Sequence, residues 1–352
     1  MHNKYKFNFC AGPAVLYPEV SQQLSEMIIN YKDTGLSLLS ISHRDSLFIE
    51  IYNHIIYKFR QLLTISDDYE ILLMHGGATA QFSAVAINLF HTGKAIYIDS
   101  GYWSQRAMAE GQQFIDISMI KPGDSIKNNR FDYLHYTENE TIDGYQFSEI
   151  PQTDKPLVCD MSSSFLSKSV DVNRYGIIYA GAQKNIGLPG LGVVIIKKSL
   201  LESAPVLNVP LVLNYRIQAQ SKSLHNTPNV IAWAALDLTL DRLIKSGGLQ
   251  KIERINEMKA SRLYQAIDDS SLYENSIDQA NRSKVNVVFR LNDMSLETQF
   301  FDFMKKAGIY GIEGHRSIGG ARVSLYNAVS LAAVDYFIEK LQEFEHANYH
   351  HN

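Results

Sequence analysis

A lysine set in a run of small and apolar residues is the first chemical signal in this sequence: Tyr179-Ala180-Gly181-Ala182-Gln183-Lys184-Asn185. Lysines are rarely fully buried without a reason. Burial lowers their pKa and supplies the neutral amine that forms a Schiff base with an aldehyde. A surface lysine at a strand end fits the same heptad as well. Upstream, Leu157-Val158-Cys159-Asp160 places a carboxylate at the carboxyl end of an apolar strand, the edge where open α/β sheets bind ligands. An aspartate there can pair with a protonated pyridine nitrogen and keep the ring an electron sink, as pyridoxal phosphate requires. It can equally cap the following Ser162-Ser163-Ser164.

Three weaker signals accompany these. Gly76-Gly77-Ala78-Thr79 stands between a strand and a helix, where small residues let backbone N–H groups approach a phosphate at the positive helix end. It is neither of the usual glycine-rich nucleotide fingerprints. Gly101-Tyr102-Trp103 follows another strand end and offers a ring to stack on a flat cofactor, although a core tryptophan is the commoner outcome. His43-Arg44, His315-Arg316 and Arg322 offer guanidinium forks for carboxylate or phosphate. Scattered surface arginines would look the same one by one, and only their occurrence with the lysine and aspartate points to a small anionic substrate.

The elements that must position these residues follow from periodicity. Val20, Leu24, Met27 and Tyr31 recur at helical spacing over Pro18–Tyr31, and Ile51, Ile55, Phe59 and Leu62 do so in the next segment. Strand-like runs follow at Glu70–Met74, Ala95–Asp99, Phe114–Ile120, Tyr133–Tyr136, Leu157–Cys159, Gly176–Ala180 and Gly192–Ile196, with a helix through Phe82, Ala86 and Leu89 after the first. They lack polar alternation, as expected of a mostly parallel sheet covered by helices on both faces. A long helix through Trp233, Leu236, Leu240 and Leu243 breaks at Gly247-Gly248, and another spans Leu249–Ile267. The carboxy-terminal part reads as a small α+β unit: strand Val285–Leu291, helix Glu297–Ala307, strand Arg322–Tyr326 and helix Leu331–Phe344.

The whole-chain numbers bound the function. At 352 residues the chain holds about two domains and buries enough surface to need no disulfide or metal. Its 33 basic and 37 acidic side chains give a net charge of −4, which excludes the broad basic surface of a general nucleic-acid binder. Cys10 and Cys159 form no CxxC pair. No apolar signal-peptide core and no membrane-length apolar run occur, so the expectation is a cytoplasmic protein without a membrane partner. The tail His346-Ala347-Asn348-Tyr349-His350-His351-Asn352 reads as a frayed terminus rather than a metal site.

Taken together, the motifs resemble the phosphoserine aminotransferases, class-V aminotransferases of the fold-type-I pyridoxal-phosphate enzymes. The matching stretches include NFCAGPAVLYPEV, ISHRD, HGGATAQF, DSGYWS, ENETIDG, CDMSSSFLS, RYGIIYAGAQKNIG, HNTPN, ANRSKVNVVFRL and GHRSIGGARVSLYN, and they run from about residue 7 to 344. The resemblance implies an α/β fold: a large domain with a mostly parallel seven-stranded sheet between helices and a smaller α+β carboxy-terminal domain. It assigns residues 16–250 to the large cofactor-binding domain, and 1–15 with 251–352 to the small one.

Carried over by position, the resemblance makes Lys184 the Schiff-base lysine and proton shuttle, with Asp160 on the pyridine nitrogen. Trp103 would stack on the ring and Thr141 would lie beside it. Ala78, Thr79 and Gln183 would hold the cofactor phosphate, completed by Asn226 and Thr227 from a neighbouring subunit, which implies a homodimer with active sites at its interface. Arg322 would bind the substrate α-carboxylate. His43, Arg44, His315 and Arg316 would meet the substrate phosphate or the distal carboxylate of glutamate. The implied reaction converts 3-phosphooxypyruvate and glutamate to O-phosphoserine and 2-oxoglutarate, with 4-phosphooxy-threonine of pyridoxine synthesis as a second product. Some relatives carry arginine in place of Thr79, so the resemblance implies that the histidine–arginine pairs would carry more of the phosphate recognition here. The segment between Ile120 and Tyr133 is shorter than in some relatives. The rival reading, a cysteine desulfurase or another small amino-acid aminotransferase on the same fold, has to contend with Cys159 lying in an apolar strand.

Overall fold

The apolar runs between Tyr69 and Lys197 pair into one seven-stranded sheet. The structure, a computed structural model, describes residues 6–126, 130–202 and 205–349. In chain order its elements are β1 (Phe7–Asn8), α1 (Pro18–Ile29), α2 (Ser46–Leu63), β2 (Tyr69–His75), α3 (Gly77–Asn88), β3 (Lys94–Ile98), α4 (Tyr102–Gly111), β4 (Asp116–Ile120), β5 (Leu134–Thr137), β6 (Leu157–Asp160), β7 (Ile177–Gly181) and β8 (Leu191–Lys197). There follow α5 (Tyr215–Gln220), α6 (Val230–Lys245), α7 (Gly248–Asp268), β9 (Tyr273–Glu274), β10 (Asn286–Leu291), α8 (Glu297–Lys306), β11 (Ile309–Tyr310), β12 (Ala321–Ser324) and α9 (Leu331–Tyr349), with short 3-10 turns between.

The large sheet has the order β2-β8-β7-β6-β5-β3-β4. Its neighbours are parallel from β7 through β4, and β8 runs antiparallel to both β7 and β2. The mostly parallel sheet expected from the sequence is therefore present. Reversing one strand lets the chain return from β7 to β8 through a short loop, and that loop contains Lys184. His75, Ile98, Thr137, Asp160 and Gly181 all end their strands on one edge.

Successive strand residues point to opposite faces, and two cores result. Ile71, Leu73, Cys159, Ile178, Val193 and Ile195 join the apolar stripes of α2 and α6 on one face. Leu72, Met74, Val158, Ile177, Tyr179 and Val194 join α3 and α4 on the other. The stripe of α2 (Phe48, Ile51, Ile55, Phe59) has helical spacing, its start is capped by Asp45 Oδ1 on Leu47 N–H at 2.9 Å, and Phe48 stacks on Trp233.

A third core gathers Leu263, Val287, Phe289, Phe300, Met304, Val323, Phe337 and Leu341 around the antiparallel sheet β12-β10-β9 and helices α7, α8 and α9. Phe9 packs into the same core, and β1 pairs in parallel with β11. Helix α7 serves both regions: Leu249 and Ile252 pack with the first core, Leu263 and Ile267 with the third.

Element boundaries differ from expectation where polar caps end a run. Helix α1 stops at Ile29 because Asn30 is extended, not at Tyr31. Strand β4 begins at Asp116, leaving Phe114 exposed in the preceding turn. Helix α4 was not signalled by periodicity, since its first turn holds aromatic and small polar residues. Of the sequence features named above, residues 1–5 of the small-domain assignment, residues 127–129 of the short segment and His350-His351-Asn352 lie outside the described residues. Among the described residues no helix is long and apolar enough to cross a membrane.

Candidate active site

At the carboxyl edge of the large sheet the segments at the ends of β2, β3, β5, β6 and β7 meet. The loop after β7 carries Gln183, Lys184 and Asn185. Lys184 Nζ donates to Thr141 Oγ1 at 2.7 Å and lies 5.1 Å from the centre of the Trp103 ring. Desolvation of the amine pushes its pKa down to about 8, opposed by the nearby Asp160 and Glu140 carboxylates and assisted by Arg322. The lysine signal thus belongs to a desolvated amine among charges and not to a solvent-facing strand end.

Asp160 ends β6 and is buried. Burial pushes its carboxyl pKa up, while the Lys184 ammonium and the hydrogen bonds of Ser162, with Ser162 N–H donating at 2.8 Å, hold it down. Beneath it, Tyr179 and His135 share a 2.8 Å hydrogen bond, and burial lowers His135 to about 3, so that ring is neutral. The Asp160 carboxylate therefore has the nearby Lys184 as its main positive counterpart.

At the end of β2 the backbone turns sharply into α3. Gly76 and Gly77 both have left-handed φ (85° and 61°), which favours glycine. The helix start has no side-chain cap, so its first N–H groups, those of Gly77, Ala78 and Thr79, are open. Gly192 of β8 faces this turn so closely that a methyl there would stand 3.0 Å from Gly77 O. Gln183 lies alongside, its Oε1 buried without a partner among the described residues. Thr79 is exposed.

Arg322 lies on β12 of the small sheet, half-buried, with Nε lacking a partner and burial lowering its pKa. No carboxylate forms an ion pair with it among the described residues. It is close enough to Lys184 to depress the amine's pKa. His315 reaches the same region: its ring lies 5.3 Å from Tyr102, which packs edge-on against Trp103.

The remaining candidates are less connected. Arg316 and Arg44 are exposed and His43 is half-buried, and no hydrogen bond or ion pair joins the side chains of His43 or Arg44 to the residues above among the described residues. Asn226 Nδ2 lies 2.9 Å from His75 Nε2 of the same chain, Asn226 Oδ1 has no partner among the described residues, and Thr227 is exposed. Cys159 is buried in β6 with its thiol pKa raised by burial, which suits a core residue and not a mobile nucleophile.

Sequence reasoning passed over Glu140, Asn185, Asn327 and His75. Glu140 is fully buried, with Oε2 accepting Trp103 N–H at 2.8 Å and Oε1 accepting Ser104 N–H at 2.9 Å. The signal in the sequence is the polar run Thr137-Glu138-Asn139-Glu140-Thr141 that closes β5, and the structure buries all of it. Polar residues in such a place need partners.

The aminotransferase class-V family profile matches residues 6–337. A phosphoserine aminotransferase of Hahella chejuensis is 42% identical over 360 residues, covering 97% of this chain and 99% of the relative. The solved phosphoserine aminotransferase of Bacillus circulans subsp. alkalophilus superposes with a TM-score of 0.93 at 33% identity, covering 98% of this chain and 99% of that one. A pyridoxal-phosphate-bound phosphoserine aminotransferase of Trichomonas vaginalis gives 0.92 at 30% identity, covering 96% and 100%.

Proposed function

Since the chain belongs to the class-V aminotransferase family, we infer that it is a phosphoserine aminotransferase, exchanging an amino group reversibly between L-glutamate and 3-phosphooxypyruvate to give 2-oxoglutarate and O-phospho-L-serine. The observation that carries this reading is the desolvated Lys184 amine, bonded to Thr141 and flanked by Trp103, Asp160 and Arg322.

The residues present fit pyridoxal phosphate. Among the described residues Trp103 Nε1, Gln183 Oε1 and Arg322 Nε are buried polar atoms without partners, and the first turn of α3 offers uncapped N–H groups. Ala78, Thr79 and Gln183 would hold the phosphate, Asp160 the pyridine nitrogen, and Trp103 and Thr141 the ring. When bound, this cofactor supplies an electron sink conjugated to the substrate nitrogen.

The protein's own residues do the rest. A Lys184 amine with a pKa near 8 is neutral in a useful fraction at physiological pH, so Nζ can take the proton from the substrate Cα and return it. Thr141 Oγ1, as hydrogen-bond acceptor, orients that Nζ. Arg322, cationic and with Nε unpartnered among the described residues, holds the α-carboxylate, which fixes the Cα–H bond relative to Nζ. His43, Arg44, His315 and Arg316 would recognise the substrate phosphate or the distal carboxylate, and 4-phosphooxy-L-threonine would be accepted by the same anion contacts.

The reading extends to assembly. A homodimer would bring Asn226 and Thr227 to the neighbouring subunit's phosphate site. The unpartnered Asn226 Oδ1 and the exposed apolar Val206, Leu211 and Val212 upstream support it. We also take residues 16–250 as the large domain, and 1–15 with 251–352 as the small one, a division supported by the β1–β11 pairing and by Phe9 in the third core. Both cysteines are free, in keeping with a cytoplasmic enzyme.

The test is spectroscopic. Glutamate added to purified protein should convert the visible absorbance of the bound cofactor, and 3-phosphooxypyruvate should restore it. Lys184→Ala should abolish both turnover and that absorbance. Equal restoration by unphosphorylated keto acids would count against the phosphate role of the histidine–arginine pairs, and full turnover in Lys184→Ala would overturn the assignment.

A further inference from the structure

Glu140 does no chemistry in the reaction above, yet it is fully buried with three donors aimed at it. Oε2 accepts Trp103 N–H at 2.8 Å, and Oε1 accepts Ser104 N–H at 2.9 Å and the Ser100 hydroxyl at 3.1 Å. Asp143 Oδ2 takes Tyr102 N–H at 3.1 Å. The first N–H groups of a helix have no partners within it, and the residue preceding α4 is Gly101, which has no side chain to offer them. Both acceptors come instead from the segment between β5 and β6. The very next residue, Thr141, receives Lys184 Nζ. One dipeptide therefore carries both the carboxylate that holds the Trp103 backbone and the hydroxyl that holds the lysine amine.

We propose that Glu140 is a positioning residue, whose carboxylate fixes the first turn of α4 and so sets the Trp103 ring against Lys184 Nζ. The inference rests on the reading of Trp103 as the residue that covers the cofactor ring. Space supports it independently. A methyl at Gly101 would stand 2.6 Å from Asp143 Oδ2 and 2.8 and 2.9 Å from Glu140 Cγ and Cδ. The backbone at Gly101 is extended, so steric contact with the two carboxylates is what excludes a side chain there. Burial raises the Glu140 carboxyl to about 7, and the Ser104 and Trp103 N–H bonds hold it down.

The experiment follows Trp103 in the full chain carrying Trp233→Phe, which leaves one of the two tryptophans as reporter. Glu140→Gln preserves shape but turns one acceptor into a donor. The expected result, read in cofactor-free protein, is a severalfold rise in acrylamide quenching of Trp103 and a red-shifted emission. In the otherwise wild-type enzyme kcat falls on the order of tenfold, the size of one lost charge-assisted hydrogen bond. In a Trp103→Ala background the same substitution changes kcat by less than about twofold, because a residue acting through Trp103 has nothing left to position. Gly101→Ala, pressing on the same carboxylates, reproduces the quenching change. Unchanged quenching in Glu140→Gln, or an equal kcat penalty in both backgrounds, overturns the proposal. Should Glu140→Gln fail to fold, normal quenching in Gly101→Ala overturns it alone. Quenching is read without cofactor, so a failure of cofactor binding counts against the assigned reaction and leaves this test standing.

Discussion

The side-chain oxygen of Asn185 accepts the backbone N–H of Asn327 at 2.8 Å. That bond joins the residue next to Lys184 to the segment that follows Arg322. Asn185 Nδ2 in turn donates to Phe165 O at 2.7 Å, downstream of Asp160, and Asn327 Nδ2 donates to Leu166 O at 2.9 Å. Asn256 of α7 closes the set, donating to Asn327 Oδ1 at 2.9 Å and to Ser167 O at 2.8 Å. Three buried amides thus pin together the segments that carry the lysine, the aspartate and the arginine.

Asn185→Ala should therefore damage geometry as well as stability. It leaves the Asn327 N–H and the Phe165 carbonyl buried without partners, a loss of about 2–4 kcal/mol. The urea midpoint should fall, and KM for glutamate should rise, because Arg322 loses its register with Lys184. An unchanged KM beside a lowered midpoint would reduce the pin to a purely structural role.

Lys259 predicts a pH dependence of stability. It is fully buried, and its Nζ donates to the carbonyls of Leu325, Tyr326 and Val329 at 2.9, 2.9 and 3.1 Å, fixing the turn that carries Asn327. Desolvation lowers its pKa from 10.5 to about 7. A lysine whose folded pKa is depressed binds fewer protons folded than unfolded between those two values. Stability should then rise with pH from about 7 toward 10, by at most ~1.4 kcal/mol per pH unit. Lys259→Met should lose that rise and also destabilise, because buried carbonyls lose their donor, three while the amine is charged and two once it is neutral. Denaturation of both proteins across this range isolates the contribution; parallel pH curves would refute it.

The Lys184 amine should respond to its neighbours in opposite directions. Arg322 lowers its pKa and Asp160 raises it. Arg322→Gln should move the titration above about 8, and Asp160→Asn should move it below. The pH dependence of Lys184 modification by an amine reagent, followed by peptide mapping in cofactor-free protein, reads both shifts. Movement in the same direction would mean that packing, and not charge, sets the value.

How much of this was legible follows from what each residue does locally. Strands β2, β6, β7 and β8 are largely continuous apolar runs, and α2 and α6 carry apolar stripes, so the pattern of apolar residues exposes them. Lys184 and Asp160 stand out because a charge interrupts an apolar context. Glu140 and Asn185 stand beside recognised residues, yet their partners, α4 and the turn at Asn327, are remote in sequence. Nothing in local spacing says which remote N–H a buried carboxylate or amide will satisfy. The two-residue strands β1 and β11 are invisible for the same reason, since only their pairing defines them.

The start of α3 gives a last test. Gly192 on β8 lies against the backbone of Gly77, where a methyl would meet Gly77 O at 3.0 Å and Gly77 C at 3.3 Å. Backbone cannot rotate away as a side-chain end does, so Gly192→Ala must push the helix start or the strand aside, at about 1–3 kcal/mol. The displaced groups are the open N–H donors of Gly77, Ala78 and Thr79. Affinity of cofactor-free protein for pyridoxal phosphate should fall roughly tenfold, in step with that displacement. Gly187→Ala is the control, since a methyl there meets only ordinary contacts, the nearest at 3.7 Å. Its cofactor affinity should stay near that of the natural protein. Full affinity in Gly192→Ala, with stability lowered, would detach the α3 terminus from phosphate binding and leave Gln183 as the remaining contact on this side of the site.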